Sequence, residues 1–99
     1  MTVWQLCEHA HPVLTDEGGA ILDEHTGRWQ YLSPTSSAAV LLLLAGPGRE
    51  QAVERYAARY SIGRERAAAD VGEVAGSLVR LGLAHDGAPE PAQRRWWSR

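Results

Sequence analysis

Apolar residues change their spacing once along this chain, at Ser33, and the change separates a strand-forming third from a helix-forming remainder. Three short segments with β-branched and aromatic residues come first: Val13-Leu14-Thr15, Ala20-Ile21-Leu22-Asp23 and Arg28-Trp29-Gln30-Tyr31-Leu32. Between them lie Asp16-Glu17-Gly18-Gly19 and His25-Thr26-Gly27, clusters whose glycines tolerate the positive φ of tight turns. Two turns joining three strands predict an antiparallel meander. Upstream, Val3-Trp4-Gln5-Leu6-Cys7 is mixed and reads either as a short strand or as part of an arm over residues 1–10.

Beyond Ser33 the spacing is helical. The Ser33 hydroxyl suits an N-cap, and Pro34 suits the first helical position because its missing N–H costs nothing there. A first helix is predicted over residues 34–45, with Gly46-Pro47-Gly48 ending it through a left-handed glycine cap. A second, over residues 49–60, puts Val53, Tyr56, Ala57 and Tyr60 on one face before Ser61-Ile62-Gly63 breaks it. The third, residues 64–81, ends at Gly82 and carries Ala67, Val71, Val74, Ala75, Leu78 and Leu81 on one side. Glu65, Arg66, Glu73 and Arg80 take the opposite side, with Asp70 and Ser77 at the border.

Composition narrows the class. A chain of 99 residues with 44% hydrophobic content is one globular domain, expected over residues 1–84, with the polar, Pro-rich stretch 85–99 as a disordered tail. A net charge of −2 gives no bulk attraction to a polyanion. The longest apolar run, residues 38–45, is too short to span a bilayer, and no basic start leads into a cleavable apolar segment. A soluble, cytoplasmic protein is expected, and the single cysteine, Cys7, fits a reducing compartment.

Three strands followed by three helices make an α+β fold of winged helix-turn-helix type in which the sheet leads. The succession Gly19-Ala20-Ile21-Leu22-Asp23, Thr26-Gly27-Arg28-Trp29-Gln30-Tyr31-Leu32-Ser33-Pro34-Thr35, Tyr60-Ser61-Ile62, Ala69-Asp70-Val71 and Leu78-Val79-Arg80-Leu81-Gly82-Leu83 resembles the PqqD family. Within it, residues 11–84 most resemble the freestanding leader-peptide-binding proteins of lasso-peptide biosynthesis. Ser61 and Gly63 depart from an acidic helix start common in such proteins, and Trp29-Gln30 replaces a more usual pair of tyrosines. The resemblance implies a recognition element for ribosomally made peptides. It would bind a precursor's leader, which offers a Tyr and a Pro to its pockets, and present it to a separate leader peptidase ahead of a macrolactam-forming cyclase.

The residues suit that role in their own right. The third strand of the meander is expected to leave an open row of backbone N–H and C=O groups from Arg28 through Trp29, Gln30 and Tyr31 to Leu32, a template for an added strand. Specificity would then come from the groove beside the third helix, lined by Val74, Leu78 and Leu81 with Asp70 and Ser77 at its rim. Trp29 and Tyr31 share one face of the strand, Gln30 and Leu32 the other, and either pair can face the groove. Proline at position 30 would block strand addition if the Gln30 N–H points outward. The same edge can also pair with a second copy of the chain.

Other chemistry is weaker. Cys7, His9 and His11 alternate, but a closed zinc site needs four ligands and only His25, His85 or scattered carboxylates could complete it, so no metal or other cofactor is expected. Nothing presents Cys7 as a nucleophile, so no catalytic residue is assigned. The terminal Arg94-Arg95-Trp96-Trp97-Ser98-Arg99 combines cations with indoles and is assigned to the tail. Two rival functions remain: a winged-helix DNA-binding regulator, and a PqqD-like chaperone that delivers a peptide to a radical enzyme. Arg64, Arg66 and Arg80 of the third helix are offset by Glu65, Asp70 and Glu73, whereas nucleic-acid binding needs a cationic surplus.

Overall fold

A computed structural model of the protein describes residues 3–46 and 48–87. Its elements run β1 (Val3–Leu6), β2 (Ala10–Thr15), β3 (Gly18–Asp23), β4 (Arg28–Leu32), α1 (Pro34–Ala45), α2 (Arg49–Tyr60), α3 (Arg64–Arg80) and β5 (Ala84–Gly87). The predicted meander is present as an antiparallel sheet in the order β2-β3-β4. A second sheet, outside the expectation, pairs β1 with β5.

Local chemistry accounts for the turns. Asp16 and Glu17 join β2 to β3, with Thr15 Oγ1 donating to the Gly18 carbonyl at 2.6 Å. At the next turn Asp23 Oδ1 accepts the His25 N–H at 2.9 Å and Thr26 Oγ1 accepts the Arg28 N–H at 3.2 Å. Gly27, at φ +75, supplies the left-handed residue that returns the chain. Ser33 caps α1 as expected, its hydroxyl oxygen accepting the Ser36 N–H, with Pro34 in the first turn. One further hydroxyl ties helix to sheet: Ser37, fully buried, donates to the Thr15 carbonyl at 2.8 Å.

The inner face of the three-stranded sheet presents Ala10, Leu14, Ile21 and Leu32 to the helices. Ile21 is 0% exposed and packs in one core with Val40, Leu43, Val53, Tyr56, Val71 and Leu78. Apolar residues occupy almost the whole circumference of the second half of α1, which suits its position packed against β3, α2 and α3.

The ends of α1 and α3 differ from expectation. Gly46 is extended, at φ −93 and ψ 167, so α1 stops without a left-handed cap. Among the described residues, the non-glycine residue at positive φ is Ser61, at the end of α2, with φ 54. α3 ends at Arg80, one residue early, in a Schellman motif: the Leu83 N–H reaches the Leu78 carbonyl at 2.9 Å and the Gly82 N–H reaches Val79 at 3.0 Å, with Gly82 at φ +78.

That motif turns the chain into β5, which runs past the boundary expected at residue 84. The Cys7 N–H donates to the Leu83 carbonyl at 2.9 Å, and β1 pairs along β5 from Leu6↔Ala84 to Val3↔Gly87. Buried Trp4 donates its indole N–H to the Ala75 carbonyl at 3.1 Å, so the segment of uncertain form is a strand clamped to α3. The tail expectation for residues 88–99, including Arg94, Trp96 and Trp97, lies outside the described residues. Among the described residues no helix is long and apolar enough to cross a membrane.

Candidate functional site

The sheet has two outer edges, and they are not equivalent. A two-residue turn closes on the Thr15–Gly18 pair, which makes that pair a hydrogen-bonded one. Alternation along β3 then directs Gly18, Ala20 and Leu22 toward β2, and Gly19, Ile21 and Asp23 toward β4. On β4 the partners Arg28, Gln30 and Leu32 therefore turn their N–H and C=O groups inward. Trp29 and Tyr31 turn theirs to the open edge. On β2 the outward positions are Ala10, Pro12 and Leu14, and Pro12 has no N–H to offer. Among the described residues no strand pairs with the outer edge of β4, and only that edge keeps its donors throughout.

This corrects the expectation for Gln30. Its N–H belongs to the internal ladder with Ile21, so proline there breaks the sheet rather than the open edge.

Side chains follow the same alternation. Gln30 and Leu32 share the helix-side face with Ile21, and half-buried Leu32 packs against the core. Trp29 and Tyr31, 45% and 74% exposed, lie on the opposite face, where they border a shallow apolar hollow of about 400 Å³ with Val13, Thr15 and Ala20. The pair facing α3 is thus Gln30 and Leu32.

On α3, Asp70, Val74, Ser77 and Leu81 fall at i, i+4, i+7 and i+11, one stripe beside the buried stripe of Ala67, Val71, Ala75 and Leu78. The first three are half-buried and Leu81 is 52% exposed. Leu78 is only 2% exposed and sits in the core, beneath the groove rather than on its surface. One cavity of about 490 Å³ joins the strand to the helix end, lined by Asp23, Thr26, Arg28, Trp29, Gln30, Leu81 and Leu83. A second, about 190 Å³, lies between the start of α1 and the middle of α3, lined by Thr35, Ser36, Tyr56, Asp70, Glu73 and Val74. β4 thus borders the Leu81 part of a broken trough along α3, whose other part, acidic at Asp70 and Glu73, is lined by α1, α2 and α3.

Asp70 is braced from two directions. The Tyr56 hydroxyl donates to Asp70 Oδ2 at 3.4 Å and Arg66 Nε lies 3.9 Å from the same oxygen. Burial, and then the Asp70 carboxylate, push the Tyr56 phenol above its ordinary range. Ser77 accepts from Arg80 at 3.1 Å. Leu83, Thr35, Ser36, Tyr56 and Glu73 line the trough without having been singled out in the sequence. Leu83 alone had a local signal, as the apolar residue following a C-terminal glycine.

A family model described as Coenzyme PQQ synthesis protein D (PqqD) matches residues 18–84, which span β3 to the first residue of β5. The chain belongs to the PqqD family. Its PqqD-family fold also matches two solved structures. A lasso peptide synthetase B1 complexed with the leader peptide is 26% identical, with a TM-score of 0.73 over 83% of this chain and 96% of that one. TbiB1 in complex with the TbiA(beta) leader peptide is 22% identical, with a TM-score of 0.73 over 82% of this chain and 94% of that one. No curated protein matches the chain. The PqqD-family assignment confirms the expected α+β arrangement of a leading antiparallel sheet and three helices, to which the β1–β5 sheet is an addition.

Proposed function

We propose that this PqqD-family protein binds the leader region of a ribosomally synthesised precursor, of the lasso-peptide class, as a fourth strand on the open edge of β4, and presents it to a separate leader peptidase. One observation carries the reading: of the two sheet edges, the one beside the trough keeps every backbone donor, whereas Pro12 blunts the other. A disordered leader laid antiparallel there pairs with the N–H and C=O groups of Trp29 and Tyr31, giving affinity with little demand on sequence. Its inward side chains then meet Gln30, Leu32, Val74, Ser77 and Leu81, with Asp70 placed for a polar or cationic group. The solved B1 protein at 26% identity, complexed with its leader peptide, supports this use of the fold.

In this reading the protein works by binding, and the chemistry belongs to its partner enzyme. A role in nucleic-acid binding is disfavoured by the arginines of α3. Arg64 faces Glu54 at 3.2 Å, Arg66 faces Asp70 at 3.9 Å, and Glu65 and Glu73 on the same helix offset Arg80, so the helix presents no cationic surplus.

The test is an amide-shift titration of labelled protein with the leader halves of candidate precursors. Shifts clustered on residues 28–32 and 70–81 are expected, with protection of the Trp29 and Tyr31 amides. Shifts confined to the outer hollow, or a concentration-dependent dimer that excludes the peptide, would refute the placement. Leaders from lasso and radical-enzyme pathways, compared side by side, distinguish the proposed class from peptide delivery to a radical enzyme.

Asp70→Ala is expected to weaken leader binding several-fold with a small loss of stability, because the variant leaves the Tyr56 hydroxyl without its carboxylate partner. Calorimetric titration alongside a denaturation midpoint separates the two effects. Unchanged leader affinity would take Asp70 out of the site.

A further inference from the structure

Spacing in the sequence draws attention to Cys7, His9 and His11, but the fold disperses that set and assembles another. His11 is held by Glu24 at 2.9 Å, and among the described residues neither it nor Cys7 falls in a group of three close ligand atoms. His9, in the turn between β1 and β2, instead meets Asp23 at the end of β3 and His25 in the turn before β4. One ligand atom from each of the three lies within 4.8 Å of the others. The His9 and His25 rings stack at 3.9 Å between centroids, 13° from parallel.

Three features distinguish this cluster from a chance meeting of surface side chains. The two turns are bound together by backbone, since the Glu24 N–H donates to the His9 carbonyl at 2.8 Å. His9 Nε2 lies 2.9 Å from the Gly82 carbonyl oxygen, which can only accept, so in the neutral ring this contact assigns the proton to Nε2 and the lone pair to Nδ1. This is the second-shell arrangement that orients metal-bound histidines. Finally, Asp23 Oδ1 accepts the His25 N–H at 2.9 Å, which fixes the carboxylate while leaving Oδ2 unengaged by that bond.

We propose that His9, Asp23 and His25 form a three-ligand site for a divalent transition-metal ion such as zinc. Two imidazoles and a carboxylate suit an ion of borderline softness, and the fourth position is open to solvent. Zinc bonds to such ligands are about 2.0–2.2 Å long, so tetrahedral donors sit roughly 3.4 Å apart. A bound ion lies in the plane of each imidazole that holds it, so exposed His25 must swing out of its stack on His9, while His9 stays oriented by the Gly82 carbonyl. A bound ion would tie the turns before β2 and β4 to the Gly82 turn after α3. Asp23 also lines the 490 Å³ cavity, so the ion would brace the Arg28 end of the open strand.

The test is a zinc chloride titration of the untagged full chain by calorimetry, with thermal melts and histidine-ring NMR in parallel. One zinc per chain is expected, with a rise in Tm of about 5 °C at saturation and shifts of the His9 and His25 ring signals. His25→Ala and Asp23→Asn should each reduce affinity tenfold or more. Asn at position 23 still accepts the His25 N–H, so that loss reports on charge and ligation rather than on turn geometry. His11→Gln and Cys7→Ser should leave affinity unchanged. Absence of binding to the parent protein, full affinity in His25→Ala, or loss on Cys7→Ser would each overturn the assignment.

Discussion

Tyr31→Pro is expected to weaken leader binding by about ten- to a hundredfold while leaving the fold almost as stable as the parent. The proline removes an outward N–H and places a ring where the incoming strand must approach. A peptide carbonyl left without its partner in a desolvated edge loses about 1–3 kcal/mol. The fold is spared because proline is tolerated on an edge strand where the missing N–H faces outward. Two companions make the result specific. Tyr31→Ala keeps the backbone donor and removes only a side chain on the outer face, so it should bind much more tightly than the proline variant. Gln30→Pro cuts the internal ladder opposite Ile21 and should lower the denaturation midpoint itself. Equal leader affinity in Tyr31→Pro and the parent would eliminate strand addition at β4.

Ile21→Ala should produce the largest loss of stability, about 2–5 kcal/mol by chemical denaturation. Its side chain is fully buried at the centre of the middle strand, between Pro12 and Gln30 on the neighbouring strands and against the helices. Truncation leaves a cavity that rigid sheet neighbours cannot close. Small domains have only about 5–15 kcal/mol in total, so the variant should melt far below the parent. Ile21→Val, which removes a single methylene, should cost about 0.5–1.5 kcal/mol. If Ile21→Ala unfolded at the parent's midpoint, the packing of this sheet on α1 would be wrong. The two experiments are complementary, because one removes an interaction with a guest and the other removes support from within.

Several parts of this molecule were legible in its residues because their causes are local. Ser33-Pro34 announces a helix start through a hydroxyl cap and a ring with the right φ, and the chain obeys. The clusters before β3 and β4 announce turns for similar reasons. The apolar stripe of α3 was visible from its period, yet that stripe mixes two populations: Leu78 is core, whereas Val74 and Leu81 border a trough. A helical wheel gives the angle of each side chain but not what stands opposite. Gly46 shows the converse, since its composition suggested a left-handed cap and the backbone there is extended.

Of the β1–β5 sheet only β1 left a signal, the mixed pattern of Val3–Leu6, and its partner left none. Ala84-His85-Asp86-Gly87 has little strand propensity, and it becomes a strand because the Schellman turn at Gly82 delivers it to Val3–Leu6 at the other end of the chain. The outward direction of Tyr31 and the inward direction of Gln30 were equally hidden, because both follow from which pair closes the first hairpin. His9, Asp23 and His25 come together only when two turns dock.

Short-range chemistry in the chain dictated its α+β order, its meander and its three helices, since caps, turns and hydrophobic period act within a few residues. Pairing between distant segments chose the free edge, the trough residues and the histidine cluster. Those depend on register and docking, where shifting a strand by one residue reverses every backbone group and side chain on it.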